Sequence, residues 1–278
     1  MSVRPLFGTL LLLLLAACST IPPPDVRRQS ALALVQARHW QSVTIDTRSF
    51  RLQAFTPAVY SIDRQLTLYL EGDGFAWVSS SQPSADPTPI DPLGLRLALA
   101  QPIGNAAYLA RPCQYIGAGQ SNCARRYWTD ARFAEEVVDS LDQAVGELKA
   151  RAGAEKLVLV GYSGGAALAL LLAERRTDVS AVVSVAGNLD HRAWTELHHV
   201  SPLNASLNPA DNRQALAGIK QLHLTGENDT VVPHELAERF VAGHSNQVWL
   251  LPGYDHHCCW VQDWPELWRK IEQRLGAP

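Results

Sequence analysis

The chain has 278 residues, of which 47% are hydrophobic, and its 24 basic residues against 27 acidic ones give a net charge of −3. This balance excludes the cationic surface that nucleic-acid binding requires, so no nucleic-acid partner is expected. The length suffices for one domain with a buried sheet and does not require two.

The N-terminus has the pattern of a bacterial export signal. Arg4 precedes an apolar run from Leu6 to Ala16, which is too short for a stable membrane anchor and is typical of a signal-peptide core. The run ends in Leu15-Ala16-Ala17-Cys18, which resembles the bacterial lipobox. The resemblance implies that residues 1–17 are a lipoprotein signal peptide and that Cys18 is lipidated. A plain secretory signal, with Cys18 as a spare thiol, is the alternative.

Residues 18–42 are expected to form a lipidated tether, which includes Pro22-Pro23-Pro24, and a short helix from Val26 to His39. Ser19 follows Cys18 where similar lipoproteins that stay at the inner membrane carry Asp. The resemblance therefore implies an outer-membrane lipoprotein that faces the periplasm, with the membrane as a partner through Cys18.

The other four cysteines, Cys113, Cys123, Cys258 and Cys259, are an even set, which fits an oxidising compartment and allows three pairings. Cys113 and Cys123 close a short loop that contains glycine, and we predict a bridge between them. Cys258 and Cys259 are adjacent, so a bond between them and cross-pairing to the other two both stay open. Four consecutive residues cannot easily converge on one tetrahedral ion, so the run from His256 to Cys259 is not interpreted as a metal site.

From residue 43 to residue 278 the pattern predicts one α/β domain. Two short strands, at 43–45 and 50–55, are expected to pair antiparallel. Further strands are predicted at 66–70, 106–110, 156–160, 181–185, 219–225 and 247–251, and helices at 93–100, 130–150, 166–173, from about 233, and from about 263. This alternation predicts a mostly parallel central sheet with helices on both faces. In the last helix Asp263 and Pro265 mark the start, and Trp264, Trp268, Ile271 and Leu275 have helical spacing.

A Gly161-Tyr162-Ser163-Gly164-Gly165 motif lies between the apolar strand Lys156–Val160 and the apolar helix Ala166–Ala173. It has the form of the G-x-S-x-G nucleophile elbow, in the strand-turn-helix setting that such an elbow requires. Small neighbours allow the sharp turn, and the following helix directs its N–H groups and positive dipole end toward charge that forms beside the serine. The motif predicts a nucleophilic Ser163.

Two later strand ends carry the partners that a serine nucleophile needs. Asp229 follows the strand Ile219–Thr225, and His256 and His257 follow the strand Gln247–Leu251. A serine is a poor nucleophile until a histidine takes its proton, and that histidine needs a carboxylate to fix its tautomer. Capping of the helix near residue 233 is a second role for Asp229, compatible with the first.

From residue 43 to the C-terminus the sequence resembles the α/β-hydrolase superfamily. The resemblance implies that fold with a small cap, and Ser163 as nucleophile, Asp229 as acid and His256 as base. Gly253-Tyr254-Asp255-His256 matches the usual G-x-x-H arrangement, while His257 stays the alternative base.

The segment Leu66–Phe75 resembles the strand and oxyanion loop that esterases write as H-G-G-G, but Glu71 and Asp73 depart from that pattern. The resemblance implies that backbone N–H groups of Gly164, Asp73 and Gly74 form the oxyanion hole. Carboxylates pointing inward there would disfavour negative charge.

Two segments that break the strand-helix alternation, 79–89 and 190–212, border the expected site. The second occupies the usual place of a hydrolase cap. Whether either forms a lid or only a structural loop stays open. The expected substrate pocket includes Phe75, Trp77, Tyr162 and Trp194.

The resemblance implies a serine hydrolase that cleaves small-molecule or lipid-like carboxylic esters through an acyl-enzyme, with thioesters or amides as alternative substrates. It implies no cofactor and no metal. The competing hypothesis is a catalytically silent lipoprotein that keeps the hydrolase fold for binding or assembly.

Overall fold

The computed structural model describes residues 21–116, 122–242 and 247–276, so the predicted signal peptide and Cys18 lie outside the described residues. The strands are β1 Trp40–Asp46, β2 Arg51–Pro57, β3 Gln65–Leu70, β4 Asn105–Leu109, β5 Lys156–Tyr162, β6 Val179–Val185, β7 Lys220–Gly226 and β8 Val248–Leu251. The α-helices are α1 Pro24–Ala37, α2 Leu93–Ala100, α3 Glu135–Arg151, α4 Gly164–Ala173, α5 His191–Leu197, α6 His234–Val241 and α7 Trp260–Leu275.

All eight strands form one sheet in the order β1-β2-β4-β3-β5-β6-β7-β8. The β1–β2 and β2–β4 pairs are antiparallel, and every other pair is parallel. The predicted antiparallel entry and mostly parallel sheet are therefore confirmed. Because β3, β5, β7 and β8 run in the same direction, the loops that follow them meet at one edge of the sheet.

Helices cover both faces of the sheet, which is why the inner strands are apolar along almost their whole length. On one face, α3, α4 and α6 pack against side chains such as Leu68. On the other, α1, α2 and α7 pack against side chains such as Tyr69. Leu68 and Tyr69 are consecutive in β3 and so point to opposite faces. The same alternation along each strand thus supplies both halves of the core.

Two helix starts differ from those predicted. Helix α3 begins at Glu135 rather than near Asp130, because Ser206 Oγ donates to the Asp130 carbonyl (2.7 Å) and accepts from the Phe133 amide (3.1 Å), which holds this stretch as a turn. Helix α7 begins at Trp260, ahead of the predicted start. No helix in the described part of the chain is long and apolar enough to cross a membrane.

A buried histidine in the sheet makes the fold sensitive to acid. His223 in β7 is fully buried, its Nδ1 lies 2.9 Å from Ser184 Oγ, and its ring packs edge-on against Phe240 at 5.8 Å between centroids. Burial lowers the pKa of His223 from 6.5 to about 4. The folded protein therefore keeps this imidazole neutral in a range where the unfolded chain binds a proton.

We expect the free energy of unfolding to fall as the pH drops from 6.5 to about 4, with His223 contributing up to ~1.4 kcal/mol per pH unit. A His223→Gln variant, whose amide retains a partner for Ser184, should lose that part of the slope. Urea unfolding at several pH values in this range measures it. Parallel stability curves for the two proteins would contradict the assignment.

Candidate active site

The elbow between β5 and α4 depends on backbone packing that only glycine allows. Ser163 has a positive φ of 51°, which is strained for a residue with a side chain. A Cβ at Gly161 would collide with the backbone of Gly165 and Ala166, and a Cβ at Gly165 would collide with the carbonyl of Leu70 at the end of β3. The glycines therefore bring the start of α4 into contact with the neighbouring strand end and present Ser163 at the sheet edge.

The three residues predicted from separate strand ends lie together. His256 Nε2 is 3.0 Å from Ser163 Oγ, and His256 Nδ1 is 2.8 Å from Asp229 Oδ2. The Asp229 side chain is fully buried and that of His256 is 8% exposed. The Asp229 carboxylate accepts a hydrogen bond from the Nδ1–H group of His256, which leaves Nε2 able to accept the proton of the serine hydroxyl. The arrangement is suited to activating Ser163 as a nucleophile.

Asp229 is held at both of its oxygens. Oδ1 accepts hydrogen bonds from the amides of Val231 and Val232, each at 2.8 Å, while Oδ2 faces His256. These amides lie in the loop before α6, which begins at His234. The Asp229 carboxylate therefore stabilises the loop between β7 and α6 and does not cap α6.

The structure places His256, and not His257, between Ser163 and the carboxylate. The Tyr162 hydroxyl lies 3.1 Å from the His256 carbonyl oxygen and 3.2 Å from Nδ1 of His257. Asp255 Oδ1 accepts from the amides of His257 (2.7 Å) and Cys258 (2.6 Å). Tyr162 and Asp255 thus fix the loop that carries both imidazoles.

Each of the four described cysteines is paired. Cys113 bonds Cys123 with 5.4 Å between Cα atoms, and Cys258 bonds Cys259 with 3.1 Å between Cα atoms. The predicted Cys113–Cys123 bridge is present, and the second pair is the adjacent one rather than a cross-pairing. The Cys258–Cys259 pair begins two residues after His256 and lies directly before α7.

Glu71, the first acidic residue that departs from the glycine-rich loop pattern, is only 2% exposed. Its carboxylate accepts hydrogen bonds from the Gly94 amide (3.1 Å) and the Leu95 amide (3.3 Å) in the first turn of α2, and from the Tyr108 hydroxyl (3.0 Å). Burial raises the pKa of Glu71, and these hydrogen bonds offset part of the rise. The carboxylate is therefore engaged by a helix N-terminus, which favours negative charge.

Asp73, the second departure, forms salt bridges with both Arg111 and Arg132, whose side chains are 4% and 7% exposed. Burial works against ionisation, but the Arg132 and Arg111 charges outweigh it and lower the pKa of Asp73. Neither arginine was among the site residues predicted from the sequence. A sequence signal was available for Arg111, because it follows β4 by two residues at the same sheet edge. Two guanidinium groups therefore surround the Asp73 carboxylate beside the elbow.

The predicted oxyanion donors lie on the two segments that meet at Ser163. Gly164 is the first residue of α4, so its amide has no acceptor within the helix. A Cβ at Gly164 would overlap the Asp73 carboxylate, so the loop after β3 packs directly on the helix start. Gly74 has a φ of 66°, and a Cβ there would overlap the Pro87 carbonyl. Glycine is required at both positions by this close approach.

A cavity of about 390 Å³ opens over Ser163 and His256. Its apolar wall consists of Phe75, Pro89, Ile90, Trp194, Val231 and Val232. Of the expected pocket residues, Phe75, Tyr162 and Trp194 line this cavity. Trp77 does not, because it pairs with Pro83 in an outward turn and lines a neighbouring groove. Within the described ranges, no group of three or more His, Cys, Asp or Glu side chains is arranged to hold a metal ion.

The mostly parallel sheet has helices on both faces and carries Ser163, Asp229 and His256 on its strand-end loops. This arrangement defines an α/β-hydrolase. Residues 104–256 match the model of the dienelactone hydrolase family. The chain belongs to the dienelactone hydrolase family and is a hydrolase.

Solved structures share this fold at low sequence identity. A serine hydrolase homologue from Coxiella burnetii has 15% identity and a TM-score of 0.55, over 84% of this chain and 97% of its own. An esterase from Pyrococcus furiosus has 16% identity and a TM-score of 0.55, over 85% and 90%. A serine hydrolase without a lid from Xanthomonas campestris has 13% identity and a TM-score of 0.52, over 86% and 94%. No curated protein matches the sequence.

We expect Asp73→Asn to lower the free energy of unfolding by about 2 kcal/mol or more at pH 7, because two buried guanidinium groups lose their counter-charge. Since the pKa of Asp73 is lowered in the folded state, its stabilising contribution is complete above the ordinary Asp pKa and is lost as the pH falls through the lowered value. Urea unfolding at pH 7 and pH 3.5 should show the difference between wild type and variant narrowing in acid.

The matched control is Asp46→Asn. Asp46 forms an ion pair with Arg51 but its side chain is 69% exposed, so we expect a change within about 0.5 kcal/mol. If Asp73→Asn costs no more than this control, the two arginines do not depend on Asp73 as described.

Proposed function

We propose that this hydrolase is a serine esterase that cleaves carboxylic esters through an acyl-enzyme. The observation that carries the proposal is the hydrogen-bonded series Ser163, His256 and Asp229 beside an apolar cavity. A serine hydroxyl in such a series is positioned to attack an acyl carbon bound in that cavity.

In the proposed reaction, His256 Nε2 takes the Ser163 proton as Oγ attacks the ester carbonyl. Asp229 stabilises the resulting imidazolium and keeps its orientation. The N–H groups of Gly164, Asp73 and Gly74 provide the oxyanion hole. His256 then gives the proton to the leaving alcohol, and water activated by the same imidazole hydrolyses the acyl-enzyme.

The surroundings of the elbow support the build-up of negative charge there. Asp73 is neutralised by Arg111 and Arg132, and Glu71 is bound by the first turn of α2. The N-terminus of α4 adds its partial positive charge next to Ser163. Because both carboxylates have partners, we propose that neither Asp73 nor Glu71 opposes the negative charge of the oxyanion.

The apolar wall favours an uncharged acyl or alcohol group as the part of the substrate that is bound. The family's name refers to a lactone, which is a cyclic ester, and one structural neighbour is an esterase. Both support an ester over an amide or thioester as the substrate. We further propose that the chain is attached to the bacterial envelope through a lipidated Cys18, on the basis of the lipobox-like sequence.

Ser163→Ala should lower the hydrolysis of short p-nitrophenyl esters by about 10³-fold or more, because the nucleophile is lost. The unfolding curve should not change by more than the error, since Ser163 Oγ contacts only His256 among the described residues. Ser180→Ala is the control: this serine is at the start of β6, at the opposite edge of the sheet, and bonds the Leu157 carbonyl. A Ser163→Ala rate within tenfold of wild type would disprove the nucleophile.

His256→Ala should lose about 10³-fold or more in kcat/KM, because both its hydrogen bonds belong to the reacting series. His257→Ala should lose much less, because the His257 ring packs edge-on against His256 (5.2 Å between centroids) and lies near the Tyr162 hydroxyl but has no hydrogen bond to Ser163 or Asp229. Steady-state kinetics of the two variants with the same ester provide the comparison. The reverse order of losses would assign the base to His257.

Cys18→Ser should abolish incorporation of labelled fatty acid. The variant should then no longer be recovered in the membrane fraction. Metabolic labelling and fractionation of expressing bacteria measure both. An unlabelled wild type, or a variant that is still labelled and sorted to the outer membrane, would exclude Cys18 as the anchor.

A further inference from the structure

Exposed apolar side chains lie on the wall of the active-site cavity and along the groove beside it. Ile90 and Val231 lie on the cavity wall and are 46% and 40% exposed. Trp77 and Val200 line the neighbouring groove and are 39% and 45% exposed, and Val78, next to Trp77, is 48% exposed. We call these five residues the apolar rim. Single exposed apolar residues are ordinary, but here the loops after β3, α5 and β7 place them on two adjoining depressions that share Trp194.

The rim is continuous with the catalytic cavity. The groove has a volume of about 460 Å³ and is bounded by the 77–83 turn and the 200–203 segment. Trp194 lines both the groove and the cavity, and its Nε1 donates to the Val231 carbonyl at 2.7 Å. Apolar side chains therefore line part of the path from the outside of the protein to Ser163, beside polar side chains of the groove such as Ser79, Asp130 and Arg132.

The N-terminus of α1 is fastened to the same side of the molecule. Arg27 is 5% exposed, donates to the Thr88 carbonyl, and has its guanidinium carbon 5.2 Å from the centre of the Phe75 ring. Phe75 lines the catalytic cavity. The chain that precedes Pro24 consequently joins the domain beside the rim. The stretch from Cys18 to Pro24, even fully extended, spans only about 20 Å.

We propose that the apolar rim is a docking face for a lipid bilayer, and that the ester substrate enters the cavity from that bilayer. The docking part rests on the lipid anchor at Cys18 and the substrate part on the esterase function, both proposed above. A short connection between Cys18 and α1 would hold this side of the domain against the membrane that the anchor enters. Apolar side chains on separate turns around an opening suit insertion at the interface between headgroups and acyl chains.

Quenching of tryptophan fluorescence by brominated lipids tests the docking without requiring activity. The full-length protein is mixed with phosphatidylethanolamine and phosphatidylglycerol vesicles, with and without dibrominated acyl chains. We expect bromine-dependent quenching, and Trp77→Phe should lose at least half of it. The control is Trp249→Phe, on the edge strand β8 under Arg274, which should leave the quenching unchanged. No quenching of wild type, or quenching of Trp77→Phe equal to that of wild type, would overturn the proposal. The apolar rim would then be better explained as a contact surface for a protein partner.

Hydrolysis kinetics test the origin of the substrate. A Val78→Glu/Val200→Glu variant should hydrolyse soluble p-nitrophenyl acetate within about twofold of wild type, yet lose at least tenfold on p-nitrophenyl palmitate held in vesicles. The control is Val59→Glu/Ile62→Glu, two exposed positions before β3, at the opposite edge of the sheet. Equal vesicle rates for both variants would overturn substrate entry from the bilayer. Loss of all ester hydrolysis in wild type, with quenching intact, would instead disprove the esterase and leave the docking supported.

Discussion

The active-site edge depends on the close approach of the start of α4 to the ends of β3 and β5. Gly161, Gly164 and Gly165 are in contact with backbone or with the Asp73 carboxylate at positions where a Cβ would collide. This packing sets the separation between Ser163 and the loop after β3, because Gly164 and Gly165, which follow Ser163, pack directly on that loop and on the end of β3. A larger residue at any of the three positions would move the nucleophile and the oxyanion donors apart, and a displacement of about 1 Å can cost about 10²-fold in rate.

The charged side chains at this edge of the sheet lie in the loop after β3, which packs on the start of α4. The two acidic residues of the loop are each engaged by positive partners, Asp73 by two guanidinium groups and Glu71 by the first turn of α2. Glu71 and Asp73, which replace residues of the H-G-G-G pattern, therefore hold the loop to its neighbours and leave no unpaired carboxylate beside Ser163. Asp73 also joins the loop after β3 to Arg111 and Arg132, which lie on separate segments, so one side chain ties three parts of the site together.

Much of this architecture could be predicted from the sequence because its signals are local. The strand and the glycine spacing around Ser163 are readable within a few residues, and Asp229 and His256 each lie a few residues after a predicted strand. The Asp73 ion pairs were not predicted, because they join residues 38 and 59 positions apart and depend on the sheet order. The G-x-x-H spacing favours His256 but does not exclude the adjacent His257, and only the structure shows which ring lies between Ser163 and Asp229. No sequence signal shows that Trp77 turns outward with Pro83.

The most direct test of the account is a crystal structure of the protein after reaction with an alkyl fluorophosphonate. We expect phosphorus bonded to Ser163 Oγ, the phosphonyl oxygen within hydrogen-bond distance of the Gly164 and Asp73 amides, and the alkyl group against Phe75 and Trp194. His256 should retain its bond to Asp229. An unmodified Ser163, or an adduct whose phosphonyl oxygen points away from both amides, would contradict the claim that this edge is a serine esterase site.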